Sequence, residues 1–120
     1  MVSTYVPHPG DIVWLTFDPA AGHEQAGSRP ALVVSRQSFN RRTGFAWFCP
    51  ITSQVKGYPF EVRLPPGSAT TGAILTDQCR SLDWRARHAR YKDHVSSDVL
   101  LRVLNNLRAI LADVEPPLSD

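Results

Sequence analysis

The sequence lacks any long hydrophobic run, and no apolar stretch approaches the ~20 residues that a membrane-spanning helix needs. Its first residues carry neither the basic segment nor the apolar segment of a secretory signal. We therefore expect a cytoplasmic protein with no membrane association.

Motifs for metals, cofactors and covalent catalysis are also missing. The four histidines show no HExxH motif or i, i+4 pairing, and the two cysteines are not spaced as CxxC. Phosphate-binding glycine patterns and the signatures of serine or cysteine nucleophiles are absent. We expect no metal and no cofactor, and we predict that Cys49 and Cys79 are reduced, buried apolar residues in strands.

Charge is present but unevenly distributed. Residues 1–92 hold 11 Lys and Arg against 6 Asp and Glu, a net charge of +5, whereas residues 93–120 hold 2 against 5, a net charge of −3. Five cations fall between positions 80 and 92, namely Arg80, Arg85, Arg87, Arg90 and Lys92. Clustered arginines are typical of a surface that binds anions or nucleic acid, although a solvated, salt-bridged face has the same composition.

Short apolar and alternating runs bounded by glycine and proline predict strands over most of the chain. The predicted strands are 12–17, 31–35, 45–49 (ended by Pro50), 60–64, 73–76 and 80–84. A polar turn at 41–44 separates the second strand from the third.

The end of the chain differs, because leucine and valine recur there at helical spacing. The predicted helix starts after Ser96 or Ser97 as N-cap and ends at 115–117. Its apolar face holds Leu100, Val103, Leu104, Leu107 and Leu111. With 120 residues the chain fits one domain, residues 1–120. We predict a mainly β fold, a small barrel or roll of five to seven antiparallel strands closed by a C-terminal helix.

Seven of the eleven aromatic residues fall into two groups by their position in the sequence. Trp14, Phe17, Trp47 and Phe48 lie in predicted strands, where we expect them to pack in the core. Three others flank polar or basic loops and could stack on splayed bases, although a core position is the commoner role: Phe39, Tyr58 and Trp84.

The loop 22–30, bounded by glycine and proline, places Glu24 and Arg29 five positions apart before an apolar strand. RNA brings its own nucleophile, the 2′-hydroxyl, so its cleavage requires a proton acceptor and groups that stabilise the charged phosphorane. Glu24 could accept the proton, Arg29 could bind the non-bridging oxygens, and Thr52 could donate a hydrogen bond to the same phosphate.

Each of these residues also has a purely structural interpretation. Glu24 and Arg29 could form a weak surface pair, and Thr52 could simply favour strand geometry. His23 titrates near neutrality and is a second-rank candidate for a general acid, but a single loop histidine is more often a bystander.

Together, these motifs resemble those of the MazF/PemK family of toxin endoribonucleases over nearly the whole chain. The matching segments are GDIVW (10–14), FDP (17–19), GHEQAGSRP (22–30), PIT (50–52), KGYPFE (56–61), DQ (77–78), WRAR (84–87) and the C-terminal helix. Two regions fall outside the shared pattern: the family varies at His23, and it varies in the loop 39–42, so that no base preference carries over.

The resemblance implies an SH3-like barrel that forms a homodimer and cleaves single-stranded RNA, such as mRNA, at short sequence motifs without a metal. It assigns the catalytic roles to Glu24, Arg29 and Thr52. It also implies a cognate antitoxin whose acidic, disordered segment covers the RNA groove. We expect the RNA contacts to come from Gln25, Asn40, Lys56, Tyr58, Gln78, Arg80, Arg85 and Arg87.

Two alternatives belong to other functional classes. A gyrase poison shares the fold and acts by binding a protein without catalysis, but it would not require Glu24, Arg29 and Thr52 together. The second alternative is a non-catalytic SH3-like module that binds RNA or peptide.

Overall fold

The computed structural model describes residues 5–16 and 27–117. Within these ranges seven strands and two α-helices follow one another along the chain. They are β1 (Asp11–Thr16), β2 (Ser28–Val33), α1 (Gln37–Thr43), β3 (Phe45–Thr52), β4 (Glu61–Arg63), β5 (Ala73–Leu75), β6 (Arg80–Asp83), β7 (Arg90–His94) and α2 (Ser97–Leu111). The predicted mainly β fold with a C-terminal helix is confirmed.

β3 is the strand around which the sheet is organised. The strands pair antiparallel in the order β4-β5-β3-β2-β1-β7, and β6 pairs with β3 outside this path. Residues 45–48 of β3 pair with β6, whereas Ile51 and Thr52 pair with β5. In the part of the chain that the structure describes, no ladder joins β4 to β7, so the sheet forms an open roll.

The three central strands supply two hydrophobic cores, because successive side chains of a strand point to opposite faces. Ile12, Leu32 and Cys49 belong to one core, which α2 covers with Val99 and Val103. The intervening residues of the same strands, such as Val13, Ala31 and Phe48, belong to the other core, with Leu82 and Trp84. Burial on both faces gives β1–β3 their near-continuous apolar sequences.

Pro50 does not end β3, contrary to the prediction. The Val34 N–H donates to the Trp47 carbonyl (2.9 Å), so Leu32 and Cys49 form the next bonded pair of the β2–β3 ladder. Pro50 then falls where a backbone N–H would point away from β2, so its missing donor costs no bond in this ladder. The strand therefore continues to Thr52, which is the residue proposed for catalysis.

Two elements were not predicted from the sequence. β7 has no apolar alternation, because among the described strands it pairs only with β1, as an edge strand, and it exposes Arg90 and Tyr91. The segment 37–43, predicted as loop and turn, is the helix α1, which ends at Gly44 with a φ of 74°.

The C-terminal helix begins as predicted but ends earlier. The Ser96 hydroxyl accepts a hydrogen bond from the Val99 N–H, which confirms the N-cap. α2 ends at Leu111, four residues before Glu115, and the side chain of Leu111 is 73% exposed rather than packed.

Both cysteines are free. Cys49 is buried in β3, as predicted, whereas Cys79 is half-buried and lies one residue before β6.

Candidate active site

Arg29 and Thr52 face each other at the adjacent ends of β2 and β3. The ladder between these strands pairs Ala31 with Pro50 and Val33 with Phe48. The same register, continued by two residues, sets Arg29 opposite Thr52, and directly opposite residues project to the same face of a sheet. Arg29 is exposed and Thr52 is half-buried. The continued register thus sets a residue with a guanidinium group opposite a residue with a hydroxyl group.

The position of Thr52 is fixed by its neighbours in the chain and in β5. Its Oγ1 accepts a hydrogen bond from the Gln54 N–H (3.1 Å), and a hydroxyl that accepts in this way can still donate its own hydrogen. Thr52 also pairs with Ala73. The preceding Gly72 packs so closely that a Cβ there would overlap the Thr52 carbonyl oxygen.

The loop between β3 and β4 is held by a carboxylate. Glu61 accepts hydrogen bonds from the backbone N–H groups of Lys56 (3.1 Å) and Gly57 (2.6 Å). The Tyr58 hydroxyl donates to Asp77 (2.9 Å), and this bond is the main cause of a pKa above the usual value for Tyr58. The hydroxyl therefore stays protonated as a donor. These bonds tie the exposed Lys56 to the segment that carries Gln78.

Gln78 belongs to a single 3₁₀ turn, Thr76–Gln78, between β5 and β6. Thr76 anchors this turn, since its buried hydroxyl donates to the Phe60 carbonyl (2.6 Å). The β3–β6 ladder pairs Phe48 with Arg80, two residues after this turn. Gln78 and Arg80 are exposed, and Gln78 lies between β5, which pairs with Thr52, and β6, which pairs with Phe48.

Arg85 and Arg87 are not part of this group. The Arg85 guanidinium lies over the Trp84 ring (4.8 Å), beyond the end of β6 that pairs with Phe45, at the opposite end of β3 from Thr52. The Arg87 side chain donates to the Thr16 carbonyl (3.0 Å), and the Arg87 carbonyl accepts from the Thr16 N–H (3.1 Å). Arg87 therefore fastens the end of β1 from which the chain enters the segment 17–26.

Asn40, predicted to contact RNA, is instead a buried structural residue of α1. Its amide donates to the carbonyls of Pro7 (2.8 Å) and Ser35 (3.1 Å), and its side-chain oxygen accepts from the Ser35 hydroxyl. Its exposure is 0%, so every hydrogen-bonding group of the side chain is used inside the fold.

We expect Asn40→Ala to lower the free energy of unfolding by about 2 kcal/mol, because it leaves buried carbonyls without a donor. Urea denaturation followed by tryptophan fluorescence measures the change. Ser38→Ala, at an exposed position of the same helix, is the control and should alter stability by less than about 0.5 kcal/mol. Equal stabilities of the two variants would contradict this role for Asn40.

The aromatic residues follow the prediction only in part: Trp14, expected in the core, is half-buried, and Trp84 takes the core position that was the commoner role. Phe48 is fully buried, as predicted, but Trp47 is 42% exposed. Trp84, a candidate for base stacking, is buried, and its indole N–H donates to the Asn40 carbonyl (2.9 Å). Phe39 is 37% exposed.

Several predicted residues lie outside the described residues: Phe17, His23, Glu24 and Gln25. Glu24, the proposed proton acceptor, is known only by its place in the sequence, five residues before Arg29.

The structure also identifies residues to which the sequence assigned no role. Glu61 binds backbone N–H groups of the loop, and Gly72 packs against the backbone of Thr52. Because both contacts are made to the backbone, they produce no recognisable residue pattern in the sequence. Within the described ranges, no cluster of three His, Cys, Asp or Glu side chains could hold a metal ion. No helix in these ranges is long and apolar enough to span a membrane.

Comparisons with known proteins agree in pointing to one family. A family model described as "PemK-like, MazF-like toxin of type II toxin-antitoxin system" matches residues 8–111. The endoribonuclease toxin MazF of Escherichia coli K12 is 45% identical, over 92% of this chain and 99% of that protein. A crystal structure of MazF from Deinococcus radiodurans superposes with a TM-score of 0.80 at 51% identity, over 89% of this chain and 97% of that one. A MazE–MazF structure from the same organism superposes with a TM-score of 0.80 at 46% identity, over 89% and 96%.

Proposed function

The chain belongs to the PemK-like, MazF-like toxin family, and we propose that this endoribonuclease cleaves single-stranded RNA through the RNA's own 2′-hydroxyl. The observation that supports the mechanism is the β2–β3 register, whose continuation by two residues sets Arg29 opposite Thr52.

In the proposed reaction, the 2′-oxygen attacks the adjacent phosphorus and the bond from phosphorus to the 5′-oxygen breaks. Glu24 accepts the 2′-hydroxyl proton, and the departing 5′-oxygen takes up a proton from water. The products are a 2′,3′-cyclic phosphate and a 5′-hydroxyl. Because the nucleophile belongs to the substrate, the protein has to orient the phosphate and stabilise its growing negative charge. Arg29 offers two parallel N–H donors to the non-bridging oxygens, and Thr52 donates a third hydrogen bond. No step requires a metal.

We propose that the RNA strand lies across the exposed residues next to this pair. Lys56 and Arg80 offer positive charge to the phosphates, and Gln78 and Tyr58 offer groups that can contact bases. The bonds from Glu61 and Asp77 to the loop support this assignment, because they hold Lys56 and Tyr58 in fixed positions before RNA binds. Gln25 remains a proposed contact on the segment that also carries Glu24.

We further propose that the protein acts as a homodimer and that a cognate antitoxin covers the RNA groove with an acidic, disordered segment. The net charge of +5 on residues 1–92 supports an acidic partner, since that partner would bind the same cations as the RNA phosphates. Variants that lack the proposed RNA-contacting cations Lys56 and Arg80 should therefore lose binding to RNA and binding to the antitoxin together.

A cleavage assay in excess EDTA tests the reaction. We expect the purified protein to cut a diverse pool of short single-stranded RNAs at a defined motif and to leave 5′-hydroxyl ends. The same oligonucleotide with a single 2′-deoxy substitution at the scissile nucleotide should remain intact, because its nucleophile is missing. The matched control carries the 2′-deoxy substitution one nucleotide away and should be cut.

An intact RNA pool would contradict the enzymatic function and favour a toxin that acts by protein binding. Cleavage of the 2′-deoxy substrate, or cleavage that disappears in EDTA, would instead retain the nuclease and refute the proposed mechanism.

A further inference from the structure

The two cysteines of the chain are set face to face by the β3–β6 register. The ladder pairs Trp47 with Ser81 and Phe48 with Arg80. Continued by one residue, it sets Cys49 opposite Cys79, whose backbone is extended (φ −62°, ψ 133°). This pairing was not visible in the sequence, where the two residues lie far apart.

The type of pair also matters, because antiparallel ladders alternate between two spacings. The Trp84 N–H donates to the Gly44 carbonyl, so the hydrogen-bonded pairs of this ladder are Gly44–Trp84 and every second pair after it. Cys49 and Cys79 fall on a non-hydrogen-bonded pair, in which the Cα atoms are about 4.5 Å apart and the side chains are closest. Disulfides span Cα separations of about 4.4–6.8 Å, so this pair is within range without movement of the backbone.

The side chains are already in contact. Cys79 packs against the core cluster that contains Cys49, and the interaction between the two thiols raises the pKa of Cys49 and lowers the pKa of Cys79. Cys49 is fully buried, whereas Cys79 is half-buried and so lies on the side from which a small oxidant can enter. Cys79 is therefore the more accessible thiol of the pair, and Cys49 lies behind it as the resolving thiol.

We propose that Cys49 and Cys79 are a modification site at which hydrogen peroxide reversibly closes an intramolecular disulfide between β3 and the start of β6. The Cys79 thiolate attacks one peroxide oxygen, the O–O bond breaks, and the departing hydroxide takes up a proton to form water. The Cys49 sulfur then attacks the sulfenic acid sulfur of Cys79, the S–O bond breaks, and the proton of Cys49 leaves with the hydroxide as a second water. Two thiols are oxidised, one peroxide is reduced, and a thiol reductant reverses the change.

Intact-mass analysis of the full chain tests this site independently of any RNA chemistry. Reduced protein is treated with hydrogen peroxide, quenched with catalase, denatured and alkylated. We expect a monomer that has lost about 2 Da and takes up no alkylating agent, with Cys49 and Cys79 peptides linked to each other, and full reversal by dithiothreitol. Cys49→Ala is the matched control, in which Cys79 has no resolving partner and should gain oxygen atoms instead.

Alkylation of both thiols after peroxide treatment would overturn the proposal, as would oxygen addition at Cys79 of the wild-type protein or a disulfide between two chains. Thermal melting gives a second measurement. Because the bond closes a loop of roughly 30 residues, the oxidised protein should melt about 10 °C higher than the reduced protein. A lower melting temperature would show that the thiols are forced together and would also overturn it.

Discussion

Arg29→Ala is expected to lower kcat/KM for RNA cleavage by about 10³-fold, measured with a fluorogenic oligonucleotide that contains one cleavage site. The β2–β3 register, continued by two residues, sets Arg29 opposite Thr52, and the planar guanidinium fork matches the geometry of two phosphate oxygens. Because the phosphorane carries more negative charge than the ground-state phosphate, the loss should fall mainly on kcat rather than on KM.

Two further variants distinguish paired hydrogen bonding by Arg29 from a general effect of positive charge. Arg29→Lys keeps the charge but not the paired donors, so it should recover only part of the rate. Arg102→Ala removes an exposed arginine of α2 and should leave cleavage unchanged. Arg29 is exposed, so all three proteins should melt within a few degrees of the wild type. Near wild-type cleavage by Arg29→Ala would refute the assignment.

The sequence predicts the strands well where burial dictates the residue pattern. β1 and β3 supply alternate residues to two cores, so their apolar runs were visible. β7 was missed because an edge strand needs no apolar face, and α1 was missed because its seven residues owe their helical form to the hydrogen bonds of Asn40. In both elements the tertiary contacts, rather than local propensity, decide the conformation.

The candidate site was predictable in its chemistry but not in its geometry. Arg29 and Thr52 were chosen by what their groups can do, and only the β2–β3 register places them on the same face. The expected contacts of Asn40 and Arg85 rested on residue type alone, and the structure shows a buried amide and a guanidinium over Trp84. The chemistry of the residues identifies candidate site residues, but the strand register decides which of these candidates lie opposite one another.

Gly72→Ala is expected to destabilise the protein by about 3 kcal/mol or more and to displace Thr52. Gly72 has a φ of 112°, which side-chain-bearing residues rarely adopt, and its added Cβ would overlap the Thr52 carbonyl oxygen. Relief of that overlap must move backbone, either in β5 or at the end of β3. The melting temperature should fall by about 10 °C or more. At temperatures where the variant is still folded, kcat/KM should fall at least about tenfold, because small misplacements of a catalytic group are costly.

Gly67→Ala is the matched control for the backbone conformation. Gly67 also has a positive φ, 84°, but no atom lies within 4 Å of the position its Cβ would take. This variant should lose only about 1–2 kcal/mol, the cost of the left-handed conformation, and should cleave RNA at the wild-type rate. If the two variants lose the same stability and the same activity, the close approach of Gly72 to Thr52 is not what fixes the site. Folded Gly72→Ala could instead lose much stability and still cleave RNA normally. That result would show that the strain falls on β5 and that the position of Thr52 does not depend on Gly72.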